Sequence, residues 1–198
     1  MCAMSLNIVK NVNCVIIGDS DSSKHFLFNR IRTNTHKGFL VKNDKKYTDT
    51  CRHICEIYHT RELTEQHCVK ISFSSTTFHY NIRKFSSKNK KMIPVYIRHC
   101  HVIIVCWNVV NNDGFLNLID WLVMIYTKIK DLGTVVVICG IFNTKFDKMC
   151  IPRTKLEKFI TKIQKIVTLS GLIYYDVELF NDNALNNLFD KINALTLL

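Results

Sequence analysis

The residues whose types and spacing best suit chemistry lie between positions 18 and 25. Gly18-Asp19-Ser20-Asp21-Ser22-Ser23-Lys24-His25 follows a short apolar run, Cys14 to Ile17, and leads into a helical pattern. Phosphate-binding loops have this layout. Glycines let backbone N–H groups approach phosphate oxygens, a lysine meets the terminal phosphates, and a Ser or Thr hydroxyl binds magnesium. Here Gly18 and Lys24 hold the first-glycine and lysine places, but Ser23 stands for the second glycine and His25 for the magnesium ligand. Asp21 brings negative charge to a loop built for polyphosphate, and the Cβ of Ser23 opposes close approach. These residues predict a loop that keeps the bend and binds nucleotide weakly.

Other constellations offer less. Cys51, His53 and Cys55 alternate along one strand-like stretch, and His99-Cys100-His101 could add to them, so a zinc site can be drawn. No pair has an ordinary metal-ligand loop spacing, however, and buried core thiols are the expected role; no metal site is assigned. No cysteine occupies a recognisable nucleophile elbow. Asp176 and Glu178 share a strand face and could act as a carboxylate pair, although capping or a salt bridge to the neighbouring basic helix fits them better. No catalytic residue and no cofactor are assigned.

The elements that must position the loop alternate along the chain. Val15 to Ile17 reads as a strand and Lys24 to Arg32 as a helix. The stretches "HICEIYHT" and "CVKISFSS", between Cys51 and Phe78, predict an antiparallel hairpin. "HVIIVCW", "TVVVICG" and "GLIYYDVE" are apolar runs of strand length. Helical periodicity marks Gly114 to Lys130, "PRTKLEKFITKIQKIV" and "NALNNLFDKINALTLL" between and after them. Apolar runs without alternation belong to strands buried on both faces, with helices as crossovers. The predicted fold class is therefore α/β, with a mainly parallel sheet and flanking helices in one domain over residues 1–198.

Composition agrees with one core. The chain has 198 residues, 47% apolar and 22% charged, too few for two ordinary domains. Nine scattered cysteines, an odd number without a CxxC pair, read as reduced thiols. The expected compartment is cytosol or nucleus, with no signal peptide and no membrane-spanning run. Lys and Arg total 27 against 16 Asp and Glu, giving a net charge of +11 that favours an acidic partner. Between Glu65 and Asp113 there is no carboxylate, and residues 83–94 read as a basic loop insertion carrying Arg83, Lys84, Lys88, Lys90 and Lys91. A solvated loop and a docking patch for an acidic protein or DNA surface both fit it. Sparse aromatics weaken a single-strand nucleic-acid role.

In order and spacing of elements the chain resembles the Ras-like small GTPases. The loop at Gly18, a hairpin, and "HVIIVCWNVVNNDGFLNLIDWL" with Asp113-Gly114-Phe115 and Trp121-Leu122 carry the likeness. The resemblance implies a P-loop NTPase type of fold, and it also locates the family's functional motifs. The aspartate-x-x-glycine motif should follow "VKISF", where Ser74-Ser75-Thr76-Thr77-Phe78 stands instead. The guanine-reading asparagine-lysine-x-aspartate motif should follow "VVVICG", yet Asn143, Lys145 and Asp147 lie in another frame. Val177-Glu178-Leu179-Phe180 replaces the serine-alanine-lysine turn, and Thr48 or Thr50 is all that remains for a switch threonine. A pseudo-GTPase follows, since phosphoryl transfer depends on that positioning.

The second half, through "DLGTVVVICG", "CIPR" and "LIYYDVE", is similar to the centromere protein M family of inner-kinetochore subunits. That resemblance implies a structural, protein-binding role in the nucleus at the centromere. The implied partners are a helical-repeat subunit, centromere protein I, with centromere proteins H and K. "NALTLL" offers no prenylatable cysteine, so no membrane anchor is expected. A divergent Rab-like GTP-binding protein of membrane traffic in the cytoplasm, and a basic nucleic-acid-binding module on the same fold, remain as alternatives.

Overall fold

A computed structural model of the chain describes residues 8–34, 64–73, 76–86, 90–129, 133–166, 171–181 and 183–197. Six strands form one sheet in the order β2-β3-β1-β4-β5-β6. They are β1 (Ile8–Ile17), β2 (Thr64–Phe73), β3 (Thr76–Phe85), β4 (Val102–Asn108), β5 (Val135–Phe142) and β6 (Leu172–Glu178). Only the β2–β3 pair is antiparallel; β3–β1, β1–β4, β4–β5 and β5–β6 are parallel. The α/β class read from the apolar runs is thus present.

Among the described residues five helices cover the sheet: α1 (Lys24–Asn34), α2 (Ile93–Ile97), α3 (Asn112–Lys128), α4 (Arg153–Ile166) and α5 (Ala184–Thr196). The strands β4 and β5 are buried almost end to end, which explains their unbroken Val/Ile/Cys sequences. Alternate residues feed two cores. Ile16, Ile104 and Val137 pack with Leu27, Phe28 and Ile31 of α1 and with Leu188, Phe189 and Ile192 of α5. Val15, Ile103 and Val136 pack on the other side with Ile93 of α2, Trp121 of α3, and Leu156 and Ile160 of α4. The Tyr80 hydroxyl donates to Asn193 Oδ1 within the first of these cores.

Two expectations need correction. The antiparallel hairpin exists, but it pairs Thr64–Phe73 with Thr76–Phe85, one strand later than the sequence pattern suggested. The earlier stretch with Cys51, His53 and Cys55, and the candidate switch threonines Thr48 and Thr50 before it, lie outside the described residues. Residues 83–94 are also not one loop. Arg83 and Lys84 belong to β3, and Ile93–Ile97 forms the short helix α2, with Pro94 in its first turn, where a missing N–H costs nothing. Lys84 is 7% exposed because its aliphatic stem is buried and its ammonium meets Glu65 on β2. The charge of "RK" suggested surface; the cross-strand carboxylate made burial tolerable.

The order of the strands has a functional consequence. From β1 the chain crosses toward β3 and β2, whereas from β4 it crosses the other way toward β5 and β6. The crevice beyond the carboxyl ends of β1 and β4 is therefore the topological switch point, where ligands of open α/β sheets bind. The loop from Gly18 to Ser23 stands at that point.

Five cysteines, Cys14, Cys68, Cys100, Cys106 and Cys139, are buried as free thiols, and Cys150 is exposed. Burial pushes Cys100 and Cys106 up to about 12 and raises Cys14 and Cys139 as well. Alkylation of the native protein with iodoacetamide at neutral pH, resolved by peptide mass spectrometry, is expected to modify Cys150 while sparing those five until denaturant is added. Rapid labelling of Cys106 or Cys139 under native conditions would contradict the packing of β4 and β5.

Candidate functional site

Gly18 ends β1 with φ of +143°, a conformation that side chains rarely adopt. A Cβ there would lie 2.4 Å from the Cys106 carbonyl oxygen of β4 and 2.7 Å from Ser22 Oγ. The glycine is thus required by a close approach of two backbones, one of which is the neighbouring strand. The second-glycine place is held by Ser23 at φ of +61°, so the left-handed bend survives in a residue that carries a side chain.

The loop satisfies itself. Ser22 donates to the Asp19 carbonyl oxygen from both its backbone N–H, at 3.3 Å, and its hydroxyl, at 2.7 Å. Lys24 is 5% exposed, and its Nζ turns back to donate to the Gly18 carbonyl oxygen at 2.9 Å and to that of Asp19. An ammonium so buried needs acceptors, and it has found them in the loop itself. Burial also holds its pKa below the ordinary 10.5; the nearby Lys84 adds to this, while Asp19 and Asp21 oppose it.

Three further contacts strap the loop to the rest of the molecule. Asp19 Oδ1 accepts from Trp121 Nε1 of α3 at 3.0 Å. Asp21 Oδ2 accepts from the side-chain amide of Asn111, whose own oxygen accepts from the N–H groups of Asp113 and Gly114 and so caps α3. Asn143, just beyond β5, donates from Nδ2 to Ser23 Oγ at 3.0 Å. The crevice between β1 and β4 is consequently spanned by the chain's own polar contacts, and two carboxylates stand beside the place of a polyphosphate.

His25, beyond Lys24, faces a lysine. His25 contacts Asn29 Nδ2 through Nε2 at 2.8 Å and Lys84 Nζ through Nδ1 at 2.7 Å. Lys84 pairs with Glu65 and lies 5.4 Å from the centre of the Phe28 ring. A divalent cation approaching His25 would meet the Lys84 ammonium, a repulsion that the low local dielectric strengthens. Strand β3 runs parallel to β1 with Lys84 opposite Ile16, so its end lies beside the loop. Lys84, Phe85 and Ser86 occupy that end, again without a carboxylate.

The remaining candidates are placed as follows. Asp147 caps its own turn, accepting from the N–H of Asn143 at 2.7 Å, from the N–H of Thr144 and from the Thr144 hydroxyl. The Thr144 hydroxyl is the first cause of its lowered pKa. Lys145 lies over the Phe146 ring. Asp176 pairs with Arg153 at the start of α4 and accepts from Tyr174. Of the basic docking candidates, Arg83 stacks on Tyr96, Lys90 lies 4.7 Å from the centre of the Trp121 ring, Lys91 is exposed, and Lys88 is outside the described residues. Among the described residues no group of three or more His, Cys, Asp or Glu side chains is placed to hold a metal ion. No helix there is long and apolar enough to cross a membrane.

Of the four loop residues picked out by type, Lys24 folds back on Gly18, Ser23 meets Asn143, and His25 turns to Asn29 and Lys84. The straps from Trp121, Asn111 and Asn143 and the Lys84–Glu65 pair were not foreseen. "NNDG" before α3 is readable as a helix cap, but nothing local in the sequence announces that the cap also reaches Asp21. No protein-family model matches the chain, and no curated protein matches it significantly.

Gly18→Ala is expected to cost at least about 1–3 kcal/mol of stability by urea unfolding, through strained φ and the clash with the Cys106 carbonyl; a neutral result would contradict the close approach. Lys24 gives a sign-determined pH test. Between its lowered folded pKa and 10.5 the unfolded chain binds more protons than the folded one, so stability owed to this group rises with pH. Urea unfolding of wild type and Lys24→Met from about pH 8 to about pH 10 should show the wild type gaining on the variant. A difference that stays constant or shrinks would mean the ammonium is not buried.

Proposed function

We propose that this protein is a pseudo-GTPase, a non-catalytic scaffold on a small-GTPase-like fold that works by binding other polypeptides. One observation carries the reading: Lys24, the lysine of the loop, spends its donors on the carbonyl oxygens of Gly18 and Asp19. To bind a triphosphate the chain would have to free that ammonium, rotate two carboxylates away from Trp121 and Asn111, and desolvate all of them beside polyanionic oxygen. The magnesium that offsets such charge in nucleotide enzymes would face Lys84.

With the resemblance to the centromere protein M family, the reading becomes specific. The chain is proposed to act in the nucleus, at the inner kinetochore, as a structural subunit whose partners are centromere protein I and, with it, centromere proteins H and K. Its net charge of +11 suits an acidic partner face.

A second reading, a divergent GTP-binding protein, draws on Asn143. This side chain touches the loop at Ser23, and its Oδ1 is buried without a hydrogen-bond partner among the described residues, an acceptor that a ligand N–H could use.

Co-expression with centromere protein I, followed by gel filtration, separates the two. The scaffold reading expects a stoichiometric complex that elutes together and carries no guanine nucleotide on denaturation. A chain that elutes alone with GDP or GTP retained would overturn it in favour of the second reading.

A further inference from the structure

On the α2–α3–α4 side of the sheet, two stripes of surface residues have no counterpart among the described residues. Helix α3 exposes Leu116, Ile119 and Val123 at 55%, 42% and 56% of their surface. Spaced three and four apart, they form one apolar stripe pointing away from the core, where Phe115, Leu118, Trp121, Leu122 and Ile125 are buried. Helix α4 exposes Lys155, Lys158, Lys162 and Lys165, which recur three, four and three apart and so share one face. That row extends about 15 Å along the helix. None of the four has an ion-pair partner among the described residues; the one acidic residue of α4, Glu157, is engaged by Arg153 on another face.

The two stripes adjoin. Phe115 of α3 and Phe159 of α4 meet at the seam between the helices, with ring centres 5.2 Å apart. Ile119 follows Phe115 by four residues, while Lys155 precedes Phe159 by four and Lys162 follows it by three. Those spacings set the apolar stripe on one bank of the seam and the lysines on the other. The far flank of the apolar stripe carries Asp113 and Asp120, both exposed. Across the surface the order is therefore acidic, apolar, basic.

We infer that this face docks an amphipathic helix of a partner protein, with the helix's apolar side on Leu116, Ile119 and Val123 and a row of Glu or Asp along the edge that lies over the α4 lysines. Charge complementarity selects this occupant. An anionic bilayer or a nucleic acid would gain from the lysines but would press equal negative charge against Asp113 and Asp120; a helix can be acidic on one edge and basic or neutral on the other. The same asymmetry fixes the direction in which the helix is rolled. This partner class rests on the scaffold reading above, and it adds the surface and chemistry of recognition.

The probe is a labelled, helix-forming peptide of about 18 residues with leucine at alternating three- and four-residue spacing, glutamate along one edge and glutamine elsewhere. Fluorescence anisotropy with the full chain should show binding that weakens as salt rises. Replacing the peptide's glutamates by lysine should weaken it by at least about tenfold. Ile119→Lys with Val123→Lys should do the same, and Lys158→Glu with Lys162→Glu should reverse the preference between the two peptides. Circular dichroism confirms folding of each variant, which is expected to be intact because every altered side chain is exposed. Equal binding of the two peptides, no binding of either, or unchanged binding by both variants overturns the proposal. So does binding to phosphatidylserine vesicles that the acidic peptide cannot displace. Guanine-nucleotide affinity measured on the same samples keeps the two readings apart: nucleotide binding would sink the scaffold reading whatever the peptides do, and a failed peptide test in its absence would sink this surface alone.

Discussion

The ammonium of Lys24, buried and folded back onto the carbonyl oxygens of its own loop, is the contact on which the local architecture depends. A charge held this far from water must be surrounded by acceptors, and those acceptors define how the chain runs from Gly18 to Ser23. The carbonyls can point inward only because Gly18 takes a positive φ and lets the backbone of β4 approach. With the lysine turned in, Asp19 and Asp21 are turned out, and they meet Trp121 and Asn111 at the start and middle of α3. The crevice formed where the strand order diverges is thereby closed by intramolecular hydrogen bonds.

The same logic extends along β3. In a magnesium-dependent site the end of this strand would be expected to bring a carboxylate toward the loop; here it brings Lys84, whose charge is balanced by Glu65 and shared with His25. Here the loop's neighbouring cation is the chain's own Lys84. The outer surface of α3 and α4, by contrast, carries apolar and basic side chains without partners among the described residues.

Much of the architecture was legible in the sequence because it depends on local pattern. Val102 to Trp107 and Val135 to Cys139 are unbroken apolar runs, and such runs have few solutions other than strands covered on both sides. The spacing of Phe115, Leu118, Leu122 and Ile125 likewise announced α3, and Lys24 after a glycine-ended strand announced the loop. The illegible parts depend on distant partners. "TTFHYNIRKF" alternates as a strand does, but its basic end reads as the start of a loop, and Lys84 reads as solvent-facing until Glu65 is seen opposite it. Asp21 looks like a defect in a phosphate loop, whereas in the fold it is a strut to Asn111, 90 residues away. The start of β1 at Ile8 was missed for a similar reason, since Lys10, Asn11 and Asn13 interrupt its apolar pattern while β3 pairs with it throughout.

Calorimetric titration of the purified chain with GTP and magnesium tests the central claim most directly. The account expects no saturable heat with GTP up to about 1 mM, in wild type and in Lys24→Met alike. Binding tighter than about 10 μM that requires magnesium and disappears in Lys24→Met would contradict it, because the lysine would then be serving a phosphate rather than its own loop.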